Sequence, residues 1–108
     1  MSKLKLKNNP TLKDFQEYVK ELEKERGFEK QNVIEKSLLL GEEIGELFKA
    51  IRKMQAISID KKKSKITSVE EELADILIYV CTIANRYTID LETAFREKEE
   101  INKTRVWS

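Results

Sequence analysis

Histidine is absent from this 108-residue chain. Its absence removes Ser-His-Asp and Cys-His triads, imidazole general bases and almost all zinc chemistry. Any catalysis must then rest on carboxylates, lysines or a metal-bound water. Cysteine occurs once, as Cys81 in an apolar run. No internal disulfide is possible, and a reduced, cytoplasmic setting is the expectation. One proline and three glycines leave little material for turns, which favours a few long helices over many short strands. An excess of one charge is also missing: 21 Lys and Arg stand against 20 Asp and Glu, for a net +1. That balance argues against a nucleic-acid polymer as partner. The longest apolar stretch, Leu73 to Ala84, is too short to span a bilayer and contains Asp75. The lysine-rich start, Met1 to Lys7, has no apolar core of a signal peptide. No membrane association is expected.

What is present reads as one all-α domain over residues 1–108. Residues 1–9 form a loose polar lead-in. Thr11 caps a first helix, with Asp14 in its first turn. Phe15, Tyr18, Val19 and Leu22 recur at helical spacing, and the helix stops at Gly27. A second helix runs from about Asn32 to Met54. Leu40, Ile44, Leu47, Ile51 and Met54 make one apolar stripe along it. Gly41 and Gly45 lie on one side of that helix, each costing about 0.5–1 kcal/mol relative to alanine. Two such residues point to close approach by another backbone or a ligand. Residues 55–67 carry a lysine run and read as a flexible linker. Ser68 caps a third helix, with Glu71 completing a capping box. Leu73, Ile76, Leu77, Val80, Ile83, Ala84 and Tyr87 make it the element expected to be most buried. Asp90 caps a fourth helix reaching about Thr104. The expected architecture is a four-helix bundle.

Two acidic clusters break the apolar pattern. Glu43-x-x-Glu46 sits mid-helix, and Glu72-x-x-Asp75 runs into the third helix. Residues three apart on a helix project together. If the two helices pack antiparallel, the pairs face each other. Four such carboxylates repel unless a cation sits among them, and all-oxygen ligation suits Mg²⁺ or Mn²⁺. Acids at helix starts also complement the macrodipole, and for Glu70 and Glu71 that account suffices. It fails for Glu46 and Asp75, which lie deeper in their helices. Glu42 is a neighbour of uncertain role; Glu43 matches the spacing of the second cluster.

These motifs resemble the all-α nucleotide pyrophosphohydrolase superfamily, the MazG-like enzymes, near its deoxycytidine-triphosphatase-like branch. Leu40-Gly41-Glu42-Glu43-Ile44-Gly45-Glu46-Leu47 is similar to the first family motif. Glu72-Leu73-Ala74-Asp75-Ile76-Leu77-Ile78-Tyr79 is similar to the second. The likeness continues through Asn85-Arg86 and Ile89-Asp90 to Lys98, Asn102 and Arg105, covering roughly residues 11–107. It implies hydrolysis of a nucleoside triphosphate between its α and β phosphates, to monophosphate and pyrophosphate, in nucleotide-pool house-cleaning. Mg²⁺ on Glu43, Glu46, Glu72 and Asp75 would serve it, with Glu43 or Glu46 orienting or deprotonating the attacking water. Lys98, Asn102 and Arg105, at i, i+4 and i+7, would take the polyphosphate; an ordinary solvated face is their plainer reading. Tyr79 would contact the sugar and Phe28 stack on the base, or both pack in the core. The branch also uses histidine and tryptophan around the base. This chain has no histidine, and its one tryptophan, Trp107, stands at the far end.

Two rivals use the same residues. Phosphoribosyl-ATP pyrophosphohydrolase shares the acidic helices but usually carries a histidine after the second motif, where this chain has Tyr79-Val80-Cys81. A non-catalytic helical interaction module would leave the acids merely solvated. A bundle this small leaves much apolar surface uncovered, so a homodimer or homotetramer is expected, with the active site near the interface.

Overall fold

Local capping chemistry sets the four helices of the computed structural model, which describes residues 2–55 and 68–106. Helix α1 spans Leu12–Arg26, α2 Val33–Met54, α3 Val69–Arg86 and α4 Leu91–Lys103. Among the described residues there is no strand, so the all-α class expected from the sequence holds. The expected linker lies outside the described residues beyond Gln55, as does Trp107.

Each start has a side chain that satisfies an orphan backbone donor. The Thr11 hydroxyl accepts from the Asp14 N–H at 3.1 Å, and the Asp14 carboxylate accepts from the Thr11 N–H at 2.8 Å. This reciprocal box holds the Asp14 carboxyl below its ordinary pKa. Asn32 accepts from the Glu35 N–H at 2.9 Å, and Ser68 from the Glu71 N–H at 3.1 Å. Asp90 accepts from the Thr93 N–H at 3.0 Å. Helix α1 ends where Gly27 takes φ 74°, letting the Phe28 N–H reach back to the Glu23 carbonyl at 2.8 Å. A side chain disfavours that left-handed geometry, which is why glycine stands there.

The chain forms two compact units, one of Met1–Lys30 with Cys81–Ser108, the other of Gln31–Val80. In the first, α1 packs on α4. Val19, Leu22, Cys81 and Ala84 are buried there. Burial pushes the Cys81 thiol up, so it is a packing residue rather than a reactive one. Buried Gln16 spends its whole amide on the turn before α4. It donates to the Asn85 side chain at 3.1 Å and to the Ile89 carbonyl at 2.7 Å, and accepts from the Leu91 N–H at 2.9 Å. Arg86 grips Glu23 with two bonds, at 3.0 and 2.6 Å, closing the end of α3 onto α1.

The second unit contains α2 and the start of α3. Here the structure corrects two expectations. The α2 stripe is only partly covered: Leu40 and Leu47 are half-buried, Ile44, Ile51 and Met54 are exposed, and the buried positions are Lys36 and Ala50. Helix α2 is apolar on more than one side, so periodicity alone does not choose the inner face. Helix α3 is not uniformly buried either. Cys81, Thr82 and Ala84 are covered, whereas Leu73 and Leu77 are exposed.

Candidate active site

Glu43 on α2 and Glu72 and Asp75 on α3 bring one carboxylate oxygen each to within 4.8 Å of one another. All three belong to the Gln31–Val80 unit. Helical spacing explains the pairing within α3, since Glu72 and Asp75 are three apart and share a face. Glu72 is 2% exposed, the most enclosed of the cluster's acids. Bringing charged oxygens this close without a cation costs energy, and the cluster answers by holding a proton. Glu43 is hydrogen-bonded to Glu72, and this bond, with burial and the charges of Glu72, Asp75 and Glu46, pushes its pKa from 4.5 up to about 7. Burial first, then the Glu72 and Glu71 charges, raises the Asp75 carboxyl as well. The pair Glu43 and Glu72 therefore shares a proton near neutrality.

The donor set fits a hard divalent cation. Six oxygens around Mg²⁺ at about 2.1 Å stand roughly 3.0–4.2 Å apart, close to the spacing already present. Imidazole is absent from the sequence and Cys81 is fully buried, so the soft donors that select zinc are not available here.

Of the four acids expected as ligands, the structure brings these three together. Glu46 sits one turn along α2 from Glu43, on the half-buried side of the helix, and its charge acts on Glu43. The convergence falls on Glu43 rather than Glu42, which is exposed. Tyr79 lies beside the acids: burial, then the charges of Glu43, Asp75 and Glu42, raises its hydroxyl pKa.

Sequence reasoning passed over Lys36. It is 2% exposed, and its ammonium stands 5.7 Å from the centre of the Tyr79 ring. The signal was its place seven residues before Glu43, two turns along the same face. A lysine on an acid-bearing inner face differs from the many solvated lysines of this chain.

The remaining expected contacts belong to the other unit. Phe28 is 41% exposed in the connection after α1, and its carbonyl accepts from Arg86 at 3.3 Å. Lys98 is exposed and Asn102 half-buried on α4, where Asn102 donates to Glu99 at 3.2 Å. Arg105 does not share their helical face as expected. Helix α4 ends at Lys103, and Arg105 follows in a turn whose N–H reaches the Asn102 carbonyl at 3.1 Å.

The model of the MazG nucleotide pyrophosphohydrolase domain matches residues 31–105, which is more than two-thirds of the 108-residue chain and includes both acidic motifs. The chain belongs to the MazG family. It is thus a hydrolase acting on nucleoside triphosphates. Two crystal structures of iMazG from Vibrio DAT 722 agree. The C-terminally tagged form is 34% identical, with a TM-score of 0.65, covering 88% of this chain and 100% of that one. The N-terminally tagged form is 31% identical, with a TM-score of 0.66, covering 92% and 100%. No curated protein matches the chain. Among the described residues, no helix is long and apolar enough to cross a membrane.

Proposed function

We propose that this MazG domain cleaves (d)NTPs between the α and β phosphates, giving (d)NMP and pyrophosphate, and that it does so with Mg²⁺. The reading extends over the whole chain as one catalytic domain, with house-cleaning of the nucleotide pool as its purpose. The observation that carries it is the convergence of Glu43, Glu72 and Asp75 within 4.8 Å. Those three, with Glu46, would hold the cation. When bound, Mg²⁺, or Mn²⁺ in its place, supplies positive charge to the phosphate oxygens and makes water more acidic.

Glu43 and Glu46 are the catalytic carboxylates of this reading. Glu46, outside the converged trio but on the same side of α2, is left to orient the attacking water and take its proton. Tyr79, adjacent to the acids, meets the sugar. Lys98 and Arg105 with the Asn102 amide remain the proposed polyphosphate contacts, and Phe28 the base contact, on residue chemistry alone.

A panel of NTPs, dNTPs and modified nucleotides, with Mg²⁺ or Mn²⁺, is scored for pyrophosphate release. At least one nucleotide should turn over only with metal, and Asp75→Ala should abolish that turnover. Release of orthophosphate instead of pyrophosphate, or turnover unaffected by chelation, would sink the reading.

A further inference from the structure

Phe28 sits on a peptide that is tied from both sides. Its N–H donates to the Glu23 carbonyl at 2.8 Å, a bond that the left-handed turn at Gly27 makes possible. Its own carbonyl accepts from the Arg86 guanidinium at 3.3 Å. The same guanidinium donates to both oxygens of the Glu23 carboxylate, at 3.0 and 2.6 Å. Glu23 therefore holds Phe28 twice, once through its backbone and once through Arg86. The anchor lies deep, with the Glu23 side chain 3% exposed and that of Arg86 21%. Phe28 is nevertheless 41% exposed. Leaving a large apolar residue open on a fixed backbone forgoes the burial that ordinarily stabilises a fold.

We propose that Glu23 and Arg86 are positioning residues for nucleotide recognition, fixing the Phe28 peptide so that the ring meets a nucleobase already ordered. The inference rests on the reading of Phe28 as the base contact and adds what holds it in place. Every base has a π-face, so an aromatic ring takes it by stacking, without hydrogen bonds. A connection that became ordered only on binding would lose affinity to the entropy of ordering. A segment fixed beforehand avoids that loss. Neither Glu23 nor Arg86 touches substrate in this account; both act through Phe28.

The residue types agree. The planar fork of arginine carries five N–H donors and serves both carboxylate oxygens and a carbonyl at once. The ammonium of lysine is a compact point charge and cannot reproduce that paired geometry. Closing α3 onto α1 needs only the two bonds to Glu23. The third bond, to the Phe28 carbonyl, is the one that a packing role leaves over. An enclosed ion pair is also weak evidence of stabilisation, whereas its paired bonds fix direction well.

The test is a double-mutant cycle on nucleotide binding. The probes are the α,β-methylene analogues of the four common dNTPs, which cannot be cleaved between those phosphates. Calorimetry with Mg²⁺ gives each Kd, and the tightest analogue is carried forward with KM and kcat for its parent dNTP. Arg86→Lys keeps a cation beside Glu23 but loses the fork. It should raise Kd and KM about tenfold and leave kcat within about twofold. Phe28→Ala should do the same, as loss of one base stack does. Because Arg86 acts through Phe28, the double variant should also be about tenfold weaker, not a hundredfold. Phe28→Trp should bind at least as tightly as wild type, and adding Arg86→Lys should remove that affinity. Should Arg86→Lys unfold, as read by circular dichroism, the isosteric Glu23→Gln takes its place in the cycle with the same expected pattern. A hundredfold loss in the double variant, or an unchanged Kd in the single Arg86 variant, would overturn the clamp and leave Phe28 as the base contact. An unchanged Kd in Phe28→Ala, or no binding of any analogue, would overturn the base-contact reading and the clamp with it. Proton release on Mg²⁺ binding should be the same in every variant, so the metal-site reading is judged separately.

Discussion

Loading the acid cluster with metal should expel a proton, and the number released should depend steeply on pH. The perturbation is the addition of Mg²⁺ to metal-free protein. Without metal, the Glu43 and Glu72 pair titrates with its upper step at about 7, because the two oxygens share one hydrogen bond. A carboxylate must be ionised to ligate. Metal binding therefore releases about 0.9 proton at pH 6, about 0.5 at pH 7 and about 0.1 at pH 8. Calorimetry in buffers of different ionisation heat reads this directly: the slope of observed heat against buffer heat is the proton count. Glu43→Gln, which cannot ionise, should flatten the slope to near zero. A release that does not change between pH 6 and 8 would refute the shared proton. The same linkage fixes a sign for stability. The folded pKa of Glu43 is raised above the ordinary 4.5. The folded state thus binds more protons than the unfolded one between about 4.5 and about 7, and its stability falls as pH rises through that window. The melting temperature of metal-free protein should drop from pH 4.5 to 7, and saturating Mg²⁺ should remove the drop.

Three further outcomes follow from the geometry. Asp75→Asn should lower turnover at least about a hundredfold while raising the metal-free melting temperature at pH 8, because it relieves repulsion at a site kept for function; a variant that is inactive and less stable contradicts this. Arg86→Met removes the two-bond partner of the Glu23 carboxylate, whose side chain is 3% exposed, and should cost about 3 kcal/mol in urea unfolding; Glu23→Leu with Arg86→Met should recover most of it. Gly27→Ala forces a side chain into the left-handed cap at φ 74° and should cost about 1 kcal/mol by the same measurement.

The helix boundaries were legible because their causes are local. Thr11, Asn32, Ser68 and Asp90 each bond a backbone N–H three residues on, and Gly27 ends α1 by its own backbone freedom. The pairing of acids at three-residue spacing was legible for the same reason. That Glu46 stands outside the converged trio was not. Glu43, Glu72 and Asp75 meet while Glu46 stays a turn away, and that depends on the register of two helices, which no single-helix pattern contains. Lys36 escaped notice because lysine is so common here that one buried copy leaves no compositional mark. Arg105 was misplaced by extending helical periodicity past the end of α4 at Lys103.

The error over the inner face of α2 has a different cause, and it bears on how the chain is built. Choosing the apolar stripe Leu40, Ile44, Leu47, Ile51 and Met54 as the core face assumes a helix with one wet side. Helix α2 has Lys36 and Ala50 buried on one side, Ile34, Leu38 and Phe48 bare on the other, and Ile44 and Ile51 between them. A helix apolar on more than one side buries only part of its apolar surface against one neighbour, and among the described residues Ile34, Leu38 and Phe48 stay uncovered. The two glycines sharpen the point. Each costs stability relative to alanine, and among the described residues a Cβ at either would meet nothing within 4 Å. The side of α2 that carries Glu43 meets Glu72 and Asp75 of α3, so this 22-residue helix places an acid of the cluster on the side opposite the exposed Ile34, Leu38 and Phe48.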